Sequence, residues 1–267
     1  MKTFSNIIKA DFYKLKYSKW VWILPLVYFS LIIITYGIFY WITKIDMSEI
    51  MDDPDMTEFL DLTKKGYLVL APNSSNFCMG FVVVASIFIT REFRNGVTKL
   101  RISRGNNKVE LFFSKFILLA GVTIVYTIAM YLLSAILSLC FFGVLDLTGT
   151  EIWRVFRSIL LSSLVNVSIV SLAMMISYLI RNIGGSIAVN IGIVLVQSVL
   201  LALGMMVEEN HPVQYAMRAL PANLVSSCGS LGEYDLTMMT LIIVVPIFVI
   251  AASIIVSCLT FKSRDVK

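Results

Sequence analysis

Charge is scarce in this sequence. Asp, Glu, Lys and Arg make up 15% of its 267 residues, against roughly 25% in an ordinary soluble domain. A soluble domain of this length needs more polar surface than that, and with 58% of residues apolar the composition excludes a soluble enzyme and a disordered chain. Histidine occurs once, at position 211. The four cysteines (Cys78, Cys140, Cys228, Cys258) show no paired CxxC spacing, which argues against a metal centre and a disulfide scaffold. There is no GxxxxGK(S/T) phosphate loop, no HExxH and no GxSxG elbow. The chain therefore has no P-loop with which to bind ATP. It also lacks a nucleophile with its base, or paired acids, at membrane depth. An intramembrane enzyme is the weakest of the classes left open.

What the sequence has is length in its apolar runs. They cover residues 20–42, 77–90, 111–142, 159–180, 183–207 and 238–261. Runs near twenty residues suit membrane helices, whereas barrel strands alternate in polarity. The expected fold is all-α, a polytopic membrane protein with six transmembrane helices in a single domain, 1–267. The second run is short unless residues 67–72 also enter the membrane. The first run is too long for a signal peptide and no small-residue cleavage site follows it, so it reads as a retained span. With the N-terminus inside, sixteen of the 22 Lys and Arg fall on the cytoplasmic side, which places both termini in the cytoplasm. The net charge of +5 is therefore an orientation signal and implies no nucleic acid.

Four segments outside the long runs, and two polar faces within them, carry the functional information. Residues 3–19 place Phe4, Ile7, Ile8, Phe12 and Leu15 on one helical face and Lys2, Lys9 and Lys16 on another, with Asp11 interrupting the apolar side. This reads as an interfacial helix in the inner headgroup layer, the alternative being a plain basic flank. Residues 91–110 are more basic than orientation requires. Phe93, Val97 and Leu100 recur there at helical spacing, which suits docking to a soluble partner; a solvated basic loop is the alternative. Residues 44–72 hold seven carboxylates without EF-hand spacing, a solvated acidic cap or a cation site. Residues 208–237 hold Pro212 and Pro221 around a short apolar stretch, expected to dip back into the outer leaflet. Within the spans, Ser186, Asn190, Gln197 and Gly204 share one face, as do Ser158, Ser162 and Asn166. Such faces pack helices together or line a substrate path, for which Asn166, Ser186, Asn190 and Gln197 are the candidates.

In layout, the whole chain resembles the membrane subunits of type-2 ATP-binding-cassette exporters. The likeness rests on the amphipathic N-terminal segment, six spans, and the basic bridge with Glu92, Gly96, Lys99-Leu100 and Arg104 ahead of Lys115. It extends to the loop before the last span and the tail Phe261-Lys262-Ser263-Arg264-Asp265-Val266. The bacitracin- and lantibiotic-type exporters of Gram-positive bacteria are the most similar subgroup. The resemblance implies a coupling helix bearing Glu92, Phe93, Arg94, Gly96, Thr98, Leu100, Arg101 and Arg104. It implies ABC ATPase subunits that bind ATP and Mg on the chain's behalf, and a second permease chain, identical or different. An amphiphilic peptide or drug would be exported across a bacterial plasma membrane. A membrane immunity or regulatory protein that binds a peptide through the acidic outer loop is the rival reading.

Overall fold

The structure, a computed structural model, describes residues 2–44, 75–142, 149–204, 206, 212–228 and 236–263. Among the described residues there are ten helices and no strand. They are α1 (Lys2–Lys16), α2 (Lys19–Lys44), α3 (Ser75–Arg94), α4 (Val97–Ser103), α5 (Lys108–Phe142), α6 (Gly149–Ile180), α7 (Ile183–Gly204), α8 (Pro212–Arg218), α9 (Pro221–Cys228) and α10 (Leu236–Ser263). An all-helical chain is what lipid demands, since a helix satisfies its backbone groups internally.

Five helices, α2, α5, α6, α7 and α10, are long and apolar enough to cross a membrane. The remaining expected span, residues 77–90, is helical too and lies within α3. Its apolar stretch, bounded by Asn76 and Arg91, is shorter than the roughly 20 residues a bilayer crossing requires, and α3 is not among the five. The acidic outer loop, His211 and the Arg264-Asp265 pair fall outside the described residues.

α6 is the central post. It packs against α3, α5, α7, α9 and α10, and 67% of its apolar window is buried, against 17–33% for the other four. Val165, Ile169, Val170, Ala173, Met174 and Tyr178 supply its core side. The poorly covered helices turn Leu, Ile and Val outward, as lipid-facing surfaces do.

At mid-depth the helices are joined by neutral hydrogen bonds. Asn166 Nδ2 donates to Thr127 Oγ1 at 3.1 Å, joining α6 to α5. Ser177 and Ser186 hydroxyls share a bond of 2.7 Å between α6 and α7. Asn190 Nδ2 donates to Ser86 Oγ at 2.9 Å and to the Ala173 carbonyl at 3.4 Å, tying α7 to α3 and α6. The Ala222 amide donates to Gln197 Oε1 at 2.8 Å, which anchors α9 on α7. All four candidate path residues are thus engaged between helices of this one chain.

Two short helices occupy the 208–237 loop, each starting on a proline whose fixed φ suits a first helical position. The stretch between the prolines supplies α8. The second helix, α9, is almost wholly buried and was not legible from its modest polarity.

α6 and α7 are separated only by Arg181 and Asn182. Arg181 takes a left-handed φ of 57°, and Asn182 Oδ1 accepts the Gly184 amide at 3.2 Å to cap α7.

Candidate functional site: the segment between α3 and α5

The basic segment starts as the last turn of α3, breaks, and restarts as α4. Gly96 makes the break. Its φ of 66° is left-handed, a conformation that ends a helix and that a side chain disfavours, while a Cβ there would meet nothing within 4 Å. The Gly96 amide donates to the Phe93 carbonyl at 3.2 Å, closing α3; its carbonyl accepts the Leu100 amide at 3.0 Å, opening α4. Gly105, at φ 85°, and Asn106 then lead to α5, which Asn107 caps by accepting the Val109 amide at 3.1 Å. Sequence spacing therefore places a seven-residue helix between α3 and α5.

That helix and its flanks have two faces. Glu92, Phe93, Thr98 and Arg101 turn toward the rest of the chain; Arg94, Lys99, Leu100 and Arg104 are exposed, as is Gly96. Leu100 is 52% exposed with cationic neighbours on its own helix, an apolar anchor inside a basic rim.

The inward face is an ion network. Arg101 Nη1 lies 2.5 Å from Asp11 Oδ1, and Ser114 Oγ donates to Asp11 Oδ2 at 2.8 Å. Asp11 is fully buried between Ile7 and Leu15, one turn either side of it. The residue that spoils the apolar face of α1 in the sequence is thus its link to α4 and α5. Glu92 likewise holds two partners, Lys14 Nζ of α1 at 3.1 Å from Oε1 and Lys115 Nζ of α5 at 2.7 Å from Oε2. Lys115 counts in the sequence as one more cytoplasmic positive charge, yet its side chain is 1% exposed. It sits 5.8 Å from the centre of the Phe93 ring and 6.0 Å from that of Tyr178.

Glu92 lies beyond the apolar stretch of α3. Burial alone raises its carboxyl, but the Lys115 ammonium, then Lys14 and Arg101, more than reverse this and hold it down at about 2, from 4.5. It stays ionised throughout the physiological range. Around the pair, Phe93, Phe112, Tyr178 and Phe261 form an aromatic cluster joining α3, α5, α6 and α10, with centroids 5.1–6.0 Å apart. The Arg181 guanidinium lies 5.3 Å from the Phe93 ring centre, bringing the α6–α7 joint onto the same cluster.

Asp11, Lys14, Ser114, Lys115 and Tyr178 were thus missed as members of the site. The only signals they leave in the sequence are an acid on an apolar face and a lysine four residues into an apolar run. What the assembly can do is mechanical: a push on α4 reaches α1 through Arg101 and Asp11. The adjoining turn of α3 is tied to α1 and α5 through Glu92.

No curated protein matches the chain. The family described as ABC-2 family transporter protein matches residues 7–200, well over half of the length and from α1 to within α7. Such a family supplies transport subunits rather than enzymes, and it implies an ABC ATPase as partner and a lipid membrane as medium. A multi-pass helical chain without a phosphate loop of its own, matched over that extent, belongs to the ABC-2 transporter family as a membrane-embedded permease.

Proposed function

We propose that the chain is the permease of an ATP-driven exporter and that residues 91–104 are its coupling element. The observation carrying this reading is the division of those residues into an outward face of Arg94, Lys99, Leu100 and Arg104 and an inward face bound to α1 and α5. A groove on a separate ABC ATPase would take Leu100 as anchor and the cations at its rim, as interfaces commonly do. Glu92, Phe93, Thr98 and Arg101 would carry the displacement inward.

In this reading residues 77–90 of α3 are the remaining span, both termini are cytoplasmic and α1 lies in the inner headgroup layer of a bacterial plasma membrane. Two permease chains, identical or different, carry two ATPases, which bind ATP and Mg. Closure of the ATPases moves α4, and the rigid helices relay that movement to the interface between the permeases. The cargo is an amphiphilic peptide or drug, as in the bacitracin- and lantibiotic-type exporters. Lys115 is the one charged residue within the six apolar runs, and that scarcity of charge supports an amphiphilic cargo over an ion. The engaged hydrogen bonds of Asn166, Ser186, Asn190 and Gln197 support a packing role for them beside the path.

The test is affinity purification of the full chain from its native cells, scored for a co-purifying ABC ATPase, together with export of a fluorescent amphiphilic peptide from vesicles. Replacing both anchor and rim (Arg94→Gln with Leu100→Ala) should weaken ATPase binding about tenfold or more. Export should fall with it while the fold is unchanged. If no ATPase is retained by the unaltered chain, or the double variant exports normally, the coupling assignment fails.

A further inference from the structure

A groove of about 360 Å³ lies between α1 and the inner end of α3. Tyr13, Lys14 and Tyr17 line it from α1, and Ile87, Phe88 and Arg91 from α3. Arg91 is exposed, and its guanidinium has no ion pair or hydrogen bond among the described residues. The Lys14 ammonium gives one contact to Glu92, yet its side chain is 38% exposed, so further donors face the groove. Glu92 also lines the groove, but its charge is already met by Lys115 from behind. The opening is therefore net cationic.

The groove also changes character with depth. Ile87 and Phe88 belong to the apolar stretch of α3, and Arg91 follows them by one turn, about 5 Å along the axis. Tyr13 and Tyr17 stand opposite, 63% and 66% exposed, with ring centroids 4.5 Å apart. Tyrosines with an apolar body and a polar tip favour headgroup depth. An unpartnered arginine, a half-free lysine and a tyrosine pair thus stand directly over an apolar floor. A soluble anion has no use for that floor. A cytosolic protein could not follow it to hydrocarbon depth without exposing backbone to lipid.

We infer that this groove binds one anionic phospholipid of the inner leaflet, its phosphate against Arg91 and Lys14 and an acyl chain along Ile87 and Phe88. The lipid would bridge α1 and α3 beside the Glu92 pairs, so the anionic lipid content of the membrane would stiffen the element that meets the ATPase. The site itself rests on membrane placement alone and holds whether or not α4 docks an ATPase.

Native mass spectrometry of the full-length chain, titrated in detergent with phosphatidylglycerol or phosphatidylcholine, tests it. One phosphatidylglycerol should be retained in preference to phosphatidylcholine by about fivefold, the factor that one cation near an anionic headgroup supplies. Arg91→Gln should remove most of the preference, leaving what the half-exposed Lys14 supplies, and Arg91→Lys should keep most of it. Lys9→Gln, an equal charge change at an exposed site on α1 outside the groove, should leave it intact. Equal losses in Arg91→Gln and Lys9→Gln would mean diffuse attraction and overturn the site. So would retention of both lipids alike, displacement by glycerol 3-phosphate at matched concentration, which marks a soluble-anion site, or displacement by the ATPase, which marks a protein groove.

Discussion

The end of the bundle that carries α4 and its middle are fastened differently. At the α4 end five charged side chains (Asp11, Lys14, Glu92, Arg101 and Lys115) tie four helices together through three ion pairs. At mid-depth the cross-links are single neutral bonds from serine, threonine, asparagine and glutamine. Asp11, Glu92 and Lys115 are all buried, so each charge is held by a counter-charge; in hydrocarbon an unpaired ion would be prohibitive. Ion pairs are also steep functions of geometry. The charged end is therefore stiff and specific, while the middle is held by bonds weak enough to exchange as helices shift.

Three measurements sharpen or break this contrast. The largest effect is expected from Lys115→Met, which leaves Glu92 buried with only the half-exposed Lys14. Breaking a buried pair should cost about 3 kcal/mol in chemical unfolding of the detergent-solubilised chain. Adding Glu92→Gln should restore most of it, because the orphaned charge then disappears. The second effect is on pH. Since the Glu92 carboxyl is held at about 2 rather than 4.5, its ionised form stabilises the fold at every pH above about 4.5. That contribution is lost as pH falls toward 2, so acidification from pH 5 to pH 3.5 should remove about 1 kcal/mol. In Lys115→Met the slope should shrink. The smallest is Asn190→Ala, whose interhelical bonds at mid-depth should cost about 0.6 kcal/mol. An Asn190→Ala loss exceeding that of Lys115→Met would reverse the comparison.

Much of the architecture is visible in the sequence because lipid enforces it: five of the apolar runs are the membrane-length helices, and the proline-bracketed stretch is α8. The outward half of the candidate site was equally legible, since exposed arginines around Leu100 need no partner within the chain to make sense. The inward half was not. Asp11 and Arg101 are ninety residues apart, and Glu92 and Lys115 are separated by a whole helix and two glycine-marked turns. A pattern confined to one segment cannot tell a lysine that orients the chain from one that neutralises a buried acid. α6 also begins ten residues before its apolar run, because Arg154 and Arg157 lie on a polar extension that hydropathy alone does not count as helix.

The joint at Arg181 and Asn182 limits what any conformational change can be. With two residues between them, the facing ends of α6 and α7 can separate by no more than roughly 11 Å even when the link is fully drawn out. The Ser177–Ser186 bond spans the same corner. At this corner the central post and its neighbour therefore travel as one lever on a short leash. Any wide parting of these two helices must occur at their far ends.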